Sequence, residues 1–212
     1  MKIKYCGNRS LQDVKITCNS NAHYIGFVFA PSKRQVKPED VKQWLAKENA
    51  HAKKQIVGVF VNETLENIQQ AVQTASLDIV QLHGDESPSF AQLVKKTCSV
   101  SVWKTIHHDE NAVHKMEPYQ NIVDAYLIDK KSNTAWGGTG TAFDWSSIPR
   151  YLAKAHAYRK PCFIAGGINN DNIAELLTYN LDGIDLASGI ETNLQKDRIK
   201  IAEFEKQMKN FQ

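Results

Sequence analysis

The sequence predicts an α/β chain that folds as one domain, residues 1–212, into a TIM (β/α)8 barrel. Three observations carry that expectation. Apolar, β-branched runs recur eight times, about every 26 residues, each followed by a polar or amphipathic stretch of helical period. The chain has 212 residues, within the range of a single such barrel. Its last two apolar runs end in glycines: Cys162-Phe163-Ile164-Ala165-Gly166-Gly167, then Gly183-Ile184-Asp185-Leu186-Ala187-Ser188-Gly189. Adjacent strand-to-helix turns without side chains present backbone N–H groups to a phosphate dianion, and in this fold the loops after strands 7 and 8 form that cradle. A phosphorylated small molecule is the expected ligand, with Gly166, Gly167, Ser188 and Gly189 around it.

Taken in order, the strands are expected near 2–6, 23–29, 55–61, 78–82, 99–106, 124–129, 161–165 and 183–187. Helix starts follow several of them: Pro38-Glu39-Asp40, Asn62-Glu63-Thr64, Ser87-Pro88-Ser89 and Asn170-Asp171-Asn172 place capping or acidic residues in a first turn. An open doubly wound sheet shares the alternation but normally needs fewer strands and a GxGxxG first turn. Here the first strand ends in a lone Cys6-Gly7.

Composition narrows the classes. Hydrophobic residues make up 42% of the chain, enough for a full core, and no apolar run approaches the roughly 20 residues of a membrane span. The opening Met1-Lys2-Ile3-Lys4-Tyr5-Cys6 is too short and charged for a signal peptide, so a soluble cytoplasmic protein is expected. A net charge of +3, with scattered lysines, argues against nucleic acid and suits an anionic ligand. Cys6, Cys18, Cys98 and Cys162 have no metal-ligand spacing and read as free thiols.

Strand parity then selects residues. In a barrel strand buried on both faces, a polar residue points inward, and near the C-terminal end it reaches the mouth. Lys4 and Cys6 share a face of strand 1, Gln81 and His83 a face of strand 4, Asp129 closes strand 6, and Asp185 lies in strand 8. Each has a plainer reading: Cys6 as a small buried hydrophobe, His83 as a backbone-bonded loop histidine, Asp129 as a loop cap, Asp185 as support for the glycine turn. Arg34, on the loop after strand 2, is either an exposed charge or a fork for a carboxylate. His107-His108-Asp109 reads as a solvated loop, and no metal site is expected.

Together these residues resemble the phosphoribosylanthranilate isomerase family over essentially the whole chain. The segments that carry the likeness are Lys4-Tyr5-Cys6-Gly7, Ser32-Lys33-Arg34-Gln35-Val36, Val57-Gly58-Val59-Phe60-Val61-Asn62 and Val80-Gln81-Leu82-His83-Gly84-Asp85-Glu86. Further on stand Gly137-Gly138-Thr139-Gly140 with Phe143-Asp144-Trp145, Ala165-Gly166-Gly167, Asp185, Ser188-Gly189-Ile190-Glu191 and Lys196-Asp197. The resemblance implies an Amadori rearrangement of a phosphosugar in tryptophan biosynthesis, without metal or organic cofactor, by a monomer or homodimer. It makes Cys6 the general base, Asp129 the general acid, Arg34 the holder of the anthranilate carboxylate and the backbone at Gly166, Gly167, Ser188 and Gly189 the phosphate site. Lys4, His83 and Asp185 line the pocket. Free aspartate is ionised and free cysteine protonated at neutral pH, so both need altered environments: apolar surroundings for Asp129, a nearby cation such as Lys4 for Cys6.

The chain also departs from the family. Ala187 replaces the first serine after strand 8, Thr192-Asn193-Leu194-Gln195 runs one residue short and without glycine, and Thr141-Ala142 stands where Lys-Thr is common. A metal-dependent phosphosugar epimerase would want histidines and acids that are not found here. The histidine-pathway isomerase would want an aspartate in place of Cys6. A non-catalytic phosphosugar-binding barrel is the alternative from another class, supported only by these departures.

Overall fold

The computed structural model describes residues 1–130 and 143–210. Eight strands alternate with helices in the order β1 (Lys2–Tyr5), α1 (Leu11–Cys18), β2 (Tyr24–Val28), α2 (Pro38–Glu48), β3 (Gln55–Phe60), α3 (Leu65–Ala75), β4 (Ile79–Leu82) and α4 (Pro88–Cys98). There follow β5 (Ser101–His108), α5 (Ala112–Met116), β6 (Ala125–Lys130), α6 (Ile148–Ala157), β7 (Cys162–Ile164), α7 (Ile173–Leu176) and β8 (Gly183–Leu186). Each strand pairs in parallel with the next and β8 closes on β1, so the sheet is a complete barrel. A short antiparallel hairpin, β9 (Glu191–Thr192) and β10 (Gln195–Lys196), precedes the final helix α8 (Arg198–Asn210).

Helix starts follow side-chain chemistry. Thr64 Oγ1 accepts the N–H of Asn67 at 3.2 Å, Ser87 Oγ accepts that of Phe90 at 3.2 Å, and Pro38 opens α2 where its missing N–H costs nothing. Asn172 instead turns its Oδ1 back to the N–H of Asn169 at 2.9 Å, and α7 runs for only four residues.

One core lies between barrel and helices; a smaller one fills the barrel itself. Inside, Trp103 stacks on Phe163 with ring centroids 4.6 Å apart, and Tyr24 meets both edge-on. This aromatic plug leaves the C-terminal half of the interior to polar side chains. At the opposite end a device recurs before each even-numbered strand. The side chains of His23, Asp78, Asp124 and Asp182 accept the N–H of Ile3, Ile56, Val102 and Cys162, in the strand before, at 3.2, 2.7, 2.8 and 2.9 Å. Each satisfies a donor at a strand start.

The sequence places β5 at 99–106, but the strand continues to His108, where His107 pairs in register with Asp129 and His108 with Lys130. His107 and His108 are therefore strand residues and not a solvated loop, because β6 extends far enough to supply the ladder partners.

Candidate active site

Alternation along β1 brings Lys4 and Cys6 to the barrel interior. Cys6 extends the ladder past β1, its N–H donating to Leu186 O at 2.8 Å. Lys4, wholly buried, donates from Nζ to Asp185 Oδ1 at 3.0 Å. Burial alone would push the Lys4 ammonium down, but Asp185 and Cys6 beside it reverse that and hold it above the ordinary range. Asp185 is raised by burial, against the pull of Lys4 and with the push of the Asp129 charge. The Cys6 thiol is raised too, because burial outweighs the lowering by Lys4. The cation expected to favour a thiolate is thus in place, but the net direction is upward. Gly26 in β2 makes room for the pair: a β-carbon there would lie 2.8 Å from Cys6 Sγ and 3.1 Å from Lys4 Nζ.

Across the mouth, Gln81 of β4 and His83 just past its end meet Thr105 of β5. Gln81 Nε2 lies 3.1 Å from His83 Nδ1 and 3.2 Å from Thr105 Oγ1. With Nδ1 engaged by the Gln81 amide and the Thr105 hydroxyl, the other ring nitrogen, Nε2, is the one turned to the mouth. That nitrogen faces Asp129 Oδ2 at 3.4 Å. The other Asp129 oxygen accepts the Lys130 N–H at 2.7 Å. His107 packs edge-on against His83 and donates its Nε2 proton to the His83 carbonyl at 3.0 Å; burial, then His83, lowers its basicity. The loop after His83 is fixed from behind by a buried ion pair. Lys104 Nζ donates to Glu86 Oε2 at 2.9 Å and to Gly84 O at 2.6 Å, while Glu86 Oε1 takes the N–H groups of Gly84 and Asn62.

Arg34 reaches the rim from the loop after β2, with its side chain only 13% exposed. Its Nη2 donates to Glu191 Oε2 at 2.6 Å and its Nε to Oε1 at 3.0 Å. It is therefore not an idle surface charge. The loops after β7 and β8 adjoin through a bridge between Asn169 and Gly189, and Gly166 and Gly167 adopt φ of +85° and +70°. A side chain on Gly166 would collide with Asp129 Oδ1, so the glycine lets the carboxyl and this loop approach.

The barrel thus brings Lys4, Cys6, His83, Asp129 and Asp185 to one end, with Arg34 at its edge. The segment Gly137-Gly138-Thr139-Gly140 and the departure at Thr141-Ala142 lie outside the described residues. Thr105 and His107 also line the mouth; the residues singled out by strand parity do not include them, although the parity Trp103, Thr105, His107 carries the signal. The partnership of Glu191 with Arg34 had none, because it is made by a hairpin of two-residue strands. Among the described residues no three His, Cys, Asp or Glu side chains gather to hold a metal, and no helix is long and apolar enough to cross a membrane.

Fold and mouth together define the class: a (β/α)8-barrel enzyme with titratable side chains gathered at the C-terminal ends of its strands. Comparison with known proteins narrows it. The family model for N-(5'phosphoribosyl)anthranilate (PRA) isomerase matches residues 3–207. A curated isomerase of that name from Geobacillus thermodenitrificans is 47% identical over 211 residues, covering 100% of this chain and 95% of the relative. The crystal structure of phosphoribosyl anthranilate isomerase from Thermus thermophilus superposes with a TM-score of 0.85 at 27% identity, covering 100% of both chains. A phosphoribosyl anthranilate isomerase solved in complex with reduced 1-(o-carboxyphenylamino)-1-deoxyribulose 5-phosphate superposes with a TM-score of 0.83 at 28% identity, covering 99% of each. The chain belongs to the N-(5′-phosphoribosyl)anthranilate isomerase family.

Proposed function

We propose that this protein, acting as one barrel domain, converts N-(5′-phosphoribosyl)anthranilate into 1-(2-carboxyphenylamino)-1-deoxyribulose 5-phosphate, an Amadori rearrangement that needs no metal. The observation that supports it best is the convergence of Cys6 and Asp129, with Lys4, Asp185 and His83 between them, at the mouth of a barrel of this family.

The chemistry asks for one acid and one base. Asp129 in its protonated form gives its proton to the furanose ring oxygen; the bond from that oxygen to C1′ breaks and a protonated Schiff base forms at C1′. Cys6 as thiolate removes the C2′ proton, and the electron pair left behind makes the enolamine and neutralises the nitrogen. The enolamine takes a proton at C1′ and gives up its C2′ hydroxyl proton to form the ketone, the one proton leaving Cys6 and the other returning to Asp129, so that thiolate and acid are restored. Lys4, beside Cys6, favours the thiolate before it takes the proton, and its pairing with Asp185 keeps the ammonium in place. The His83 N–H toward Asp129 Oδ2 steadies the carboxylate once its proton has gone. Arg34 holds the anthranilate carboxylate, and the backbone of Gly166, Gly167, Ser188 and Gly189 the phosphate.

The test is the loss of substrate fluorescence when N-(5′-phosphoribosyl)anthranilate is generated in situ from anthranilate and phosphoribosyl pyrophosphate. Decay well above background is expected; none from folded protein overturns the assignment.

A further inference from the structure

Glu191 is asked to balance two cations. Beside its bonds from Arg34, its Oε1 accepts from Lys196 Nζ at 2.7 Å, and the Lys196 side chain is wholly buried. Lys196 Nζ also donates to the Cys6 carbonyl at 2.6 Å, and its own N–H is held by Asp13 Oδ1 at 2.8 Å. The hairpin makes this possible. Asn193 and Leu194 take φ of +52° and +63°, a two-residue turn that sets Lys196 directly opposite Glu191 in register. The segment that runs one residue short of the family pattern is this turn.

Charge follows from geometry. Burial would raise Glu191, but the bonds from Arg34 and Lys196 outweigh it and the carboxylate lies below its ordinary range. Burial lowers the Lys196 ammonium while Glu191 pulls the other way; with Glu191 ionised and Lys196 and Arg34 both charged, the three side chains carry one positive charge more than they can pair among themselves. Such a charge in a partly desolvated site favours an anion strongly. The exposed part of Arg34 is where that anion can reach it.

We infer that Lys196 is a specificity-determining positioning residue: by sharing Glu191 it leaves Arg34 with an unbalanced charge, which the substrate's aromatic carboxylate completes. This rests on the reading of Arg34 given above. Without Lys196, Glu191 would neutralise Arg34 and the site would take a carboxylate no better than a neutral ring. Lys196 does this from behind, touching Glu191 and the Cys6 carbonyl, not the substrate.

The experiment is a cycle of two ligands against three proteins, read by titration calorimetry. The ligands are reduced 1-(o-carboxyphenylamino)-1-deoxyribulose 5-phosphate and its anilino counterpart without the carboxylate. The proteins are the parent, Lys196→Met and the double variant Lys196→Met/Glu191→Gln. The ratio of the two affinities is taken within each protein, so a partly unfolded sample does not distort it. The parent should prefer the carboxylated ligand by at least about 10-fold, Lys196→Met should lose most of that preference, and the double variant, again one positive charge in excess, should regain it to within about threefold. A purely structural role predicts no such rescue. The inference is overturned if Lys196→Met keeps the parental ratio, if the double variant stays as unselective as the single, or if the parent itself does not discriminate. Absence of turnover with the affinity pattern intact would instead overturn the proposed reaction and leave the role of Lys196 standing.

Discussion

Replacing Gly26 by alanine tests whether the thiol position, as opposed to barrel integrity, governs turnover. Gly26 lies in β2, on a strand backbone that alanine adopts without strain. Its new β-carbon would stand 2.8 Å from Cys6 Sγ and 3.1 Å from both Cε and Nζ of Lys4. Comfortable contact between such atoms is about 3.5–4.0 Å, so the thiol must retreat by roughly 1 Å. Overpacking of this kind costs about 1–3 kcal/mol, a fall in Tm of roughly 3–10 °C for a chain of this size. Displacement of a reacting group by about 1 Å costs on the order of 10²-fold in rate. Gly26→Ala should therefore lower kcat by about 10- to 100-fold, with KM changed far less. The control is Gly58→Ala in β3, where the new carbon would press on Leu77, Phe60 and Phe29 and not on the mouth. It should lose comparable stability and keep kcat. Steady-state kinetics and thermal unfolding decide it: parental kcat in folded Gly26→Ala, or equal loss in both variants, refutes the reasoning.

Three further outcomes concern the buried charged groups in and behind the mouth. Burial raises the Cys6 thiol in spite of Lys4, so its thiolate fraction, read by the rate of thiol alkylation, should still be climbing at pH values above the ordinary thiol range, and a midpoint at or below that range would contradict this. Because Lys4 lowers the thiol, Lys4→Met should move the midpoint of thiol alkylation against pH further up; an unmoved or lowered midpoint would contradict this. The buried Lys104–Glu86 pair predicts that Glu86→Gln destabilises by about 3 kcal/mol in urea unfolding, and that Lys104→Met added to it recovers part of the loss, since an unpaired buried charge costs more than an absent pair.

Particular elements explain what the sequence reveals and what it hides. All eight barrel strands fall where apolar runs lie between turn residues, since both faces of each are covered and the runs are nearly continuous. Parity then finds Lys4, Cys6, Gln81, His83, Asp129 and Asp185, because side chains along a strand alternate whatever surrounds it. The end of β5 is not visible, as histidines carry no strand signal and only the length of β6 keeps them in the ladder. The β9–β10 hairpin is hidden for another reason. Its strands are two residues long and its turn is Asn-Leu, with a leucine at φ +63°, a conformation that glycine would have announced. Every contact that hairpin makes to Arg34 was therefore beyond reach of the residues alone.

If Cys6 and Asp129 form an acid–base pair, kcat of folded Cys6→Ala and Asp129→Ala under saturating substrate reports it without intermediaries. Each is predicted to fall by about 10²- to 10⁴-fold, the contribution of one positioned acid or base. Full kcat in either variant would remove that residue from the reaction and contradict the account.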